Sequence, residues 1–134
     1  MQTTTHSTPA ESAQLILKLY ELRREEKMRE ARNWIWTFKP NSMADVHAVI
    51  AGPDSAKLRM LMGYWDMAAA LVNHGAIDAE MFNDTNGEHV YVFAKAHPFL
   101  VEMREQMPDS LRQLEKVIMN NPKSKALLEK LTKK

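Results

Sequence analysis

Apolar and polar positions along this chain follow a helical period, and the pattern is densest between Lys57 and Gly75, KLRMLMGYWDMAAALVNHG. At about 100° per residue, Leu58, Leu61, Met62, Trp65, Ala68, Ala69 and Val72 share one face. Met60, Tyr64, Met67 and Leu71 share a second, and a narrow strip of Arg59, Gly63, Asp66, Ala70 and Asn73 lies between them. One apolar stripe suffices for a helix on the surface of a domain. Two predict a helix surrounded by its own chain, and Gly75 is placed to end it in a left-handed conformation.

The flanking segments carry their own start and stop signals. Thr8-Pro9-Ala10-Glu11 combines a cap, a first-turn proline and a capping box. It predicts a helix with Ala13, Ile16, Leu17 and Tyr20 inward, continued by Met28, Ala31, Trp34, Ile35 and Phe38. Between Arg23 and Lys27 the apolar period lapses into charge, so a break or kink is expected there. Ser42-Met43-Ala44-Asp45 forms a second capping box, for a short helix through Ile50 with Met43, Val46, Val49 and Ile50 inward. Gly52-Pro53 ends it, and Asp54 or Ser55 caps the central helix.

Asp78 caps a short helix carrying Met81 and Phe82, closed by Asn86-Gly87. From Glu88 a helix through Val90, Tyr91, Phe93 and Ala94 runs towards Val101, Met103 and Met107, with a kink or restart at Pro98. Asp109 is the expected cap of a helix bearing Leu111, Leu114, Val117 and Ile118. Asn120-Asn121-Pro122 stops it, and a last helix holds Ala126, Leu127, Leu128 and Leu131. No strand alternation and no internal repeat appears. The pattern therefore predicts an all-α, single-domain bundle of about six to eight helices around a central buried helix (57–75), with short and Pro-interrupted members. The domain is expected over 9–131, after a disordered tail (1–8) and before a frayed end (132–134).

Composition narrows the function classes. The 134 residues are 45% hydrophobic and 26% charged, which suits one domain with a real core. Eighteen basic against 17 acidic side chains leave a net charge of +1, so no global field draws nucleic acid or an anionic membrane. Nucleic acid is not the expected partner; any such contact would fall at the basic end, Lys123, Lys125, Lys130, Lys133 and Lys134. The absence of cysteine removes disulfides, thiolate catalysis and zinc–cysteine sites. Leu15-Ile16-Leu17 is too short for a signal-peptide core or a membrane span, so a cytoplasmic location is expected. The ten methionines are expected mainly to fill the core.

Among polar groups, Asp66 stands out because Tyr64, Trp65 and Met67 flank it. A partly buried carboxylate must find a donor. The expected partner is an arginine from another helix: Arg32, Arg59 or Arg104. The competing reading makes Tyr64, Trp65 and Asp66 the wall of a ligand pocket. No second group converges with Asp66 for acid–base catalysis. The five histidines lack metal-site spacing, and no phosphate loop or nucleophile elbow is present, so no metal, cofactor or catalytic residue is expected.

The segments Met62-Gly63-Tyr64-Trp65-Asp66 and Leu71-Val72-Asn73-His74-Gly75-Ala76-Ile77-Asp78, with the later helix ending Glu102-Met103-Arg104, resemble a family of small bacterial all-helical proteins known as a domain of unknown function. Met28-Arg29-Glu30-Ala31-Arg32 resembles its earlier helix, and the likeness covers roughly residues 14 to 105. The resemblance implies an all-helical fold with a helix break near Glu25 to Lys27, where this chain has neither the Ser nor the Pro expected. It implies no activity, substrate or cofactor. The resulting expectation is a small non-enzymatic interaction or regulatory protein, acting on a protein partner or as a homodimer through an exposed Met/aromatic face. The alternative is a ligand-binding or enzymatic domain with its pocket at Tyr64, Trp65 and Asp66.

Overall fold

The computed structural model describes residues 7–133; of the tail expected over 1–8, residues 1–6 lie outside them, as does Lys134, while the Ser7 N–H donates to the Gly75 carbonyl at 3.0 Å and Thr8 caps the first helix. The described residues form α1 (Pro9–Arg23), α2 (Glu26–Ile35), α3 (Met43–Ile50), α4 (Ser55–Asn73), α5 (Ala79–Thr85), α6 (Glu88–Ala96), a single 3-10 turn (His97–Phe99), α7 (Leu100–Gln106), α8 (Arg112–Met119) and α9 (Pro122–Thr132), with no strand among them. Pro98 sits in the 3-10 turn, so α6 and α7 are two halves of one interrupted rod. Counted that way, the bundle has eight helical rods.

Local chemistry sets most of the boundaries. Thr8 and Glu11 form the full capping box at α1. The break after α1 falls at Arg24-Glu25, where Glu25 itself turns extended and its carboxylate accepts from the Met28 N–H at 3.2 Å. Asp78 caps α5 and Asn121 caps α9 in the same way. At the end of α4, Gly75 takes φ 82°; its N–H donates to the Val72 carbonyl, and the Ala76 N–H reaches back to Leu71. That pair of bonds is a Schellman closure.

Helix α4 is packed by α2, α3, α5, α6 and α8. Trp65, Leu61, Ala68 and Ala69 are cut off from water, together with Phe82 of α5, Phe93 of α6, Ile35 of α2 and Leu114 of α8. The second apolar face of α4 is covered unevenly: Tyr64 is buried, whereas Met67 stands in solvent.

The inward face of α1 differs from the expected one. Ser12, Ile16, Leu19 and Arg23 point in, while Leu17 (66% exposed) and Tyr20 (53%) point out. The reason is polar. Ser12 Oγ accepts from the Asp78 N–H at 2.9 Å, the Tyr64 hydroxyl donates to the Leu19 carbonyl, and Arg23 donates to Asn86 Oδ1 at 2.9 Å. The Arg23 guanidinium also lies 5.0 Å from the Trp65 ring centre, a cation–π contact. Tyr91, Val101 (81% exposed) and Met107 likewise face out, and His89, Val92 and Ala96 take the inward places on the α6–α7 rod.

His89 has no exposure, and its ring packs 5.5 Å from Trp65 and 5.0 Å from Phe82. Burial first, and the Arg23 charge second, push its imidazole down to about 4. The folded state therefore holds His89 neutral at pH values where the unfolded chain, near 6.5, has taken up a proton. Stability from this residue is complete above pH 6.5, declines as pH falls towards 4, and levels off below; the full loss is about 3 kcal/mol. Thermal melts from pH 7 to pH 5 should show the midpoint falling, with a clearly shallower fall in His89→Gln. Parallel pH profiles would place the acid sensitivity elsewhere.

Candidate functional site

Enclosure of α4 stops along the strip that carries Arg59, Gly63 and Asp66. There the start of α4, helix α7 and the segment 107–111 bound an open cleft of about 440 Å3. Leu58, Met62, Met103, Met107 and Leu111 supply an almost wholly apolar lining, and a Cβ built on Gly63 would meet nothing within 4 Å. Ile50, Met103 and Met107 also border a second hollow of about 320 Å3, reaching Met43, His47, Glu102 and Glu105. The two hollows adjoin across these shared side chains and together form the groove, apolar at the first and mixed at the second.

Of the described methionines, Met28, Met62 and Met103 are buried; Met67, Met107 and Met119 are exposed. Core filling is thus only part of their role. Four of them, Met43, Met62, Met103 and Met107, line the groove. Long, unbranched thioether chains are suited to a surface that adapts to what it contacts.

Asp66 lies on the groove wall, but its partner is a backbone group. Its Oδ1 accepts from the Leu114 N–H at 2.9 Å, and seven residues on, Asn73 Nδ2 donates to the Gln113 carbonyl and side chain. The first turn of α8 has unsatisfied N–H groups, and a carboxylate from another helix supplies what no residue of its own sequence does. Asp109, the expected cap, lies upstream, and the N-cap position falls to Leu111 with no side-chain bond of its own. Leu111 adopts φ 54°, the left-handed region, at a cost of about 1–2 kcal/mol for a residue with a Cβ. Its side chain is buried on the groove wall, and the Asp66 bond holds the turn that follows.

The arginine pairing expected for Asp66 does not occur. Arg32 meets Glu88 through Nε at 3.0 Å to both carboxylate oxygens and through its second nitrogen at 2.8 Å, joining α2 to the start of α6. Arg104 pairs with Glu115 at 3.1 Å and donates to the Ser110 carbonyl at 3.0 Å. Arg59 is exposed on the groove rim without an ion-pair partner among the described residues.

Nor does the structure bring the three sequence candidates together. Trp65 and Tyr64 are buried towards α1, α5 and α6, their rings in edge contact at 4.9 Å, while Asp66 faces the groove and α8. Consecutive helix positions differ by about 100°, so three in a row cannot share one wall. Nothing in the sequence marks Met103, Met107 and Leu111 as site residues; by spacing alone they are core positions.

These features define an all-helical, single-domain protein with one open, methionine-lined face. The chain belongs to the family described as Domain of unknown function (DUF4760), whose model matches residues 8–120. Neither the curated proteins nor the solved structures hold a match to it.

Removing the Asp66 carboxylate should loosen the start of α8. Asp66→Ala is expected to cost about 1 kcal/mol in urea unfolding, and Asp66→Asn, which keeps an acceptor oxygen, less than half of that. Equal losses in the two variants would tie the role of Asp66 to its charge and not to the cap.

Proposed function

We propose that this is a small helical interaction protein whose methionine-lined groove receives an amphipathic helix with basic residues along its flank. The observation that carries the reading is the groove itself: a long apolar floor open to solvent, bordered by flexible side chains. Apolar clefts between helices take the apolar face of a partner helix through side chains at positions three and four apart. Charge supports the choice of partner. Glu102, Glu105 and Asp109 stand on the rim and have no ion-pair partner among the described residues, against the single cation Arg59. For a second copy of the chain as occupant, the described residues offer no matching feature.

The test is methyl NMR of the full chain titrated with a designed peptide bearing Leu at helical spacing and Lys on the opposite face. Shifts should concentrate on Met62, Met103 and Met107, and Glu102→Lys with Glu105→Lys should weaken binding by about tenfold, equivalent to roughly 1.4 kcal/mol. Equal binding of a peptide with Glu in place of Lys, or shifts spread over Met67 and Met119, would reject the proposal. Concentration-dependent mass that Met107→Asp abolishes would reassign the groove to a second copy.

A further inference from the structure

On another side of the molecule, the segment after α2, the end of α6 with its 3-10 turn, and the end of α9 enclose a hollow of about 270 Å3. Three lysines line it, Lys39, Lys95 and Lys133, and no carboxylate does among the described residues. None of the three has a carboxylate within ion-pair distance among the described residues. Asp45 and Asp54 border the neighbouring hollow that Lys39 also touches, but neither pairs with it. In a chain with nearly equal numbers of acids and bases, this is a local excess of positive charge.

One physical detail reflects this excess, and another offsets it only in part. Lys95 is held below the usual ammonium range, first by burial and then by repulsion from Lys39, with no acid contributing. The end of α9 does bring partial negative charge to the site, but a helix terminus amounts to about half a unit. That offsets one ammonium in part and leaves the others. An anion entering the hollow would meet cations already facing it, with Phe99, Pro98 and Leu131 as the apolar backing.

We propose that this hollow binds a compact dianion, the phosphoryl group of a phosphate monoester, between Lys39, Lys95 and Lys133. One wall, formed by Leu131, Thr132 and Lys133, comes from beyond the family-matched span of 8–120. The hollow shares no lining residue with the groove described above.

Glycerol 3-phosphate titrated into the full chain by calorimetry, at fixed ionic strength set with chloride, should bind saturably at one equivalent. Lys39→Gln and Lys95→Gln should each weaken it by roughly fivefold, the upper end for one exposed charge pair. Lys123→Gln and Lys130→Gln, on the same basic end but outside the hollow, should leave it unchanged. If free phosphate ester fails but vesicles carrying phosphatidic acid retain the protein through Lys95, the phosphoryl group belongs to a lipid. Absence of binding to either probe, or equal weakening by all four variants, overturns the site; circular dichroism separates misfolded variants from loss of binding.

Discussion

Trp65 and Asp66 are neighbours in sequence with opposite requirements, and helix geometry sends them to different sides of α4. The indole needs enclosure, which α1, α5 and α6 provide through Arg23, Phe82 and His89. The carboxylate needs donors, and α8 arrives with the N–H groups that a helix start leaves open. One hydrogen bond thus meets two demands. It seats α8 against α4 and lets the chain enter that helix through Leu111, a residue poorly suited to the backbone conformation it adopts.

Where that enclosure ends, the groove begins. Pro98 interrupts the α6–α7 rod, so α7 is short and the chain leaves it at Met107. The segment that follows returns towards α4 only at Leu111, opposite an uncovered Gly63. Between these points α4 faces the methionines of α7 and of the segment after it across an open cleft. The groove is therefore a consequence of how the rod is broken and how α8 is attached, as well as of which residues line it.

Polar groups also decided the placement of α1. Judged by apolarity, Leu17 and Tyr20 compete well with Ser12 and Arg23 for the inward positions. Ser12 and Arg23 occupy them because each meets a partner distant in sequence, Asp78 and Asn86 respectively. A hydrogen bond across more than sixty residues leaves no periodic trace in the chain. The same holds for Asp66 and Leu114, forty-eight positions apart.

Local and periodic features are legible in the chain: the all-helical class, the central helix and the face carrying Trp65, the caps at Thr8, Ser42 and Asp78, the closure at Gly75 and the interruption at Pro98. These depend on interactions within a turn or two, which a linear pattern records. The packing of the helices set the partner of Asp66, the separation of Tyr64 and Trp65 from it, and the joining of Met62, Met103 and Met107 into one surface. Those outcomes depend on which helices come to lie side by side, and no window of a few residues contains that information.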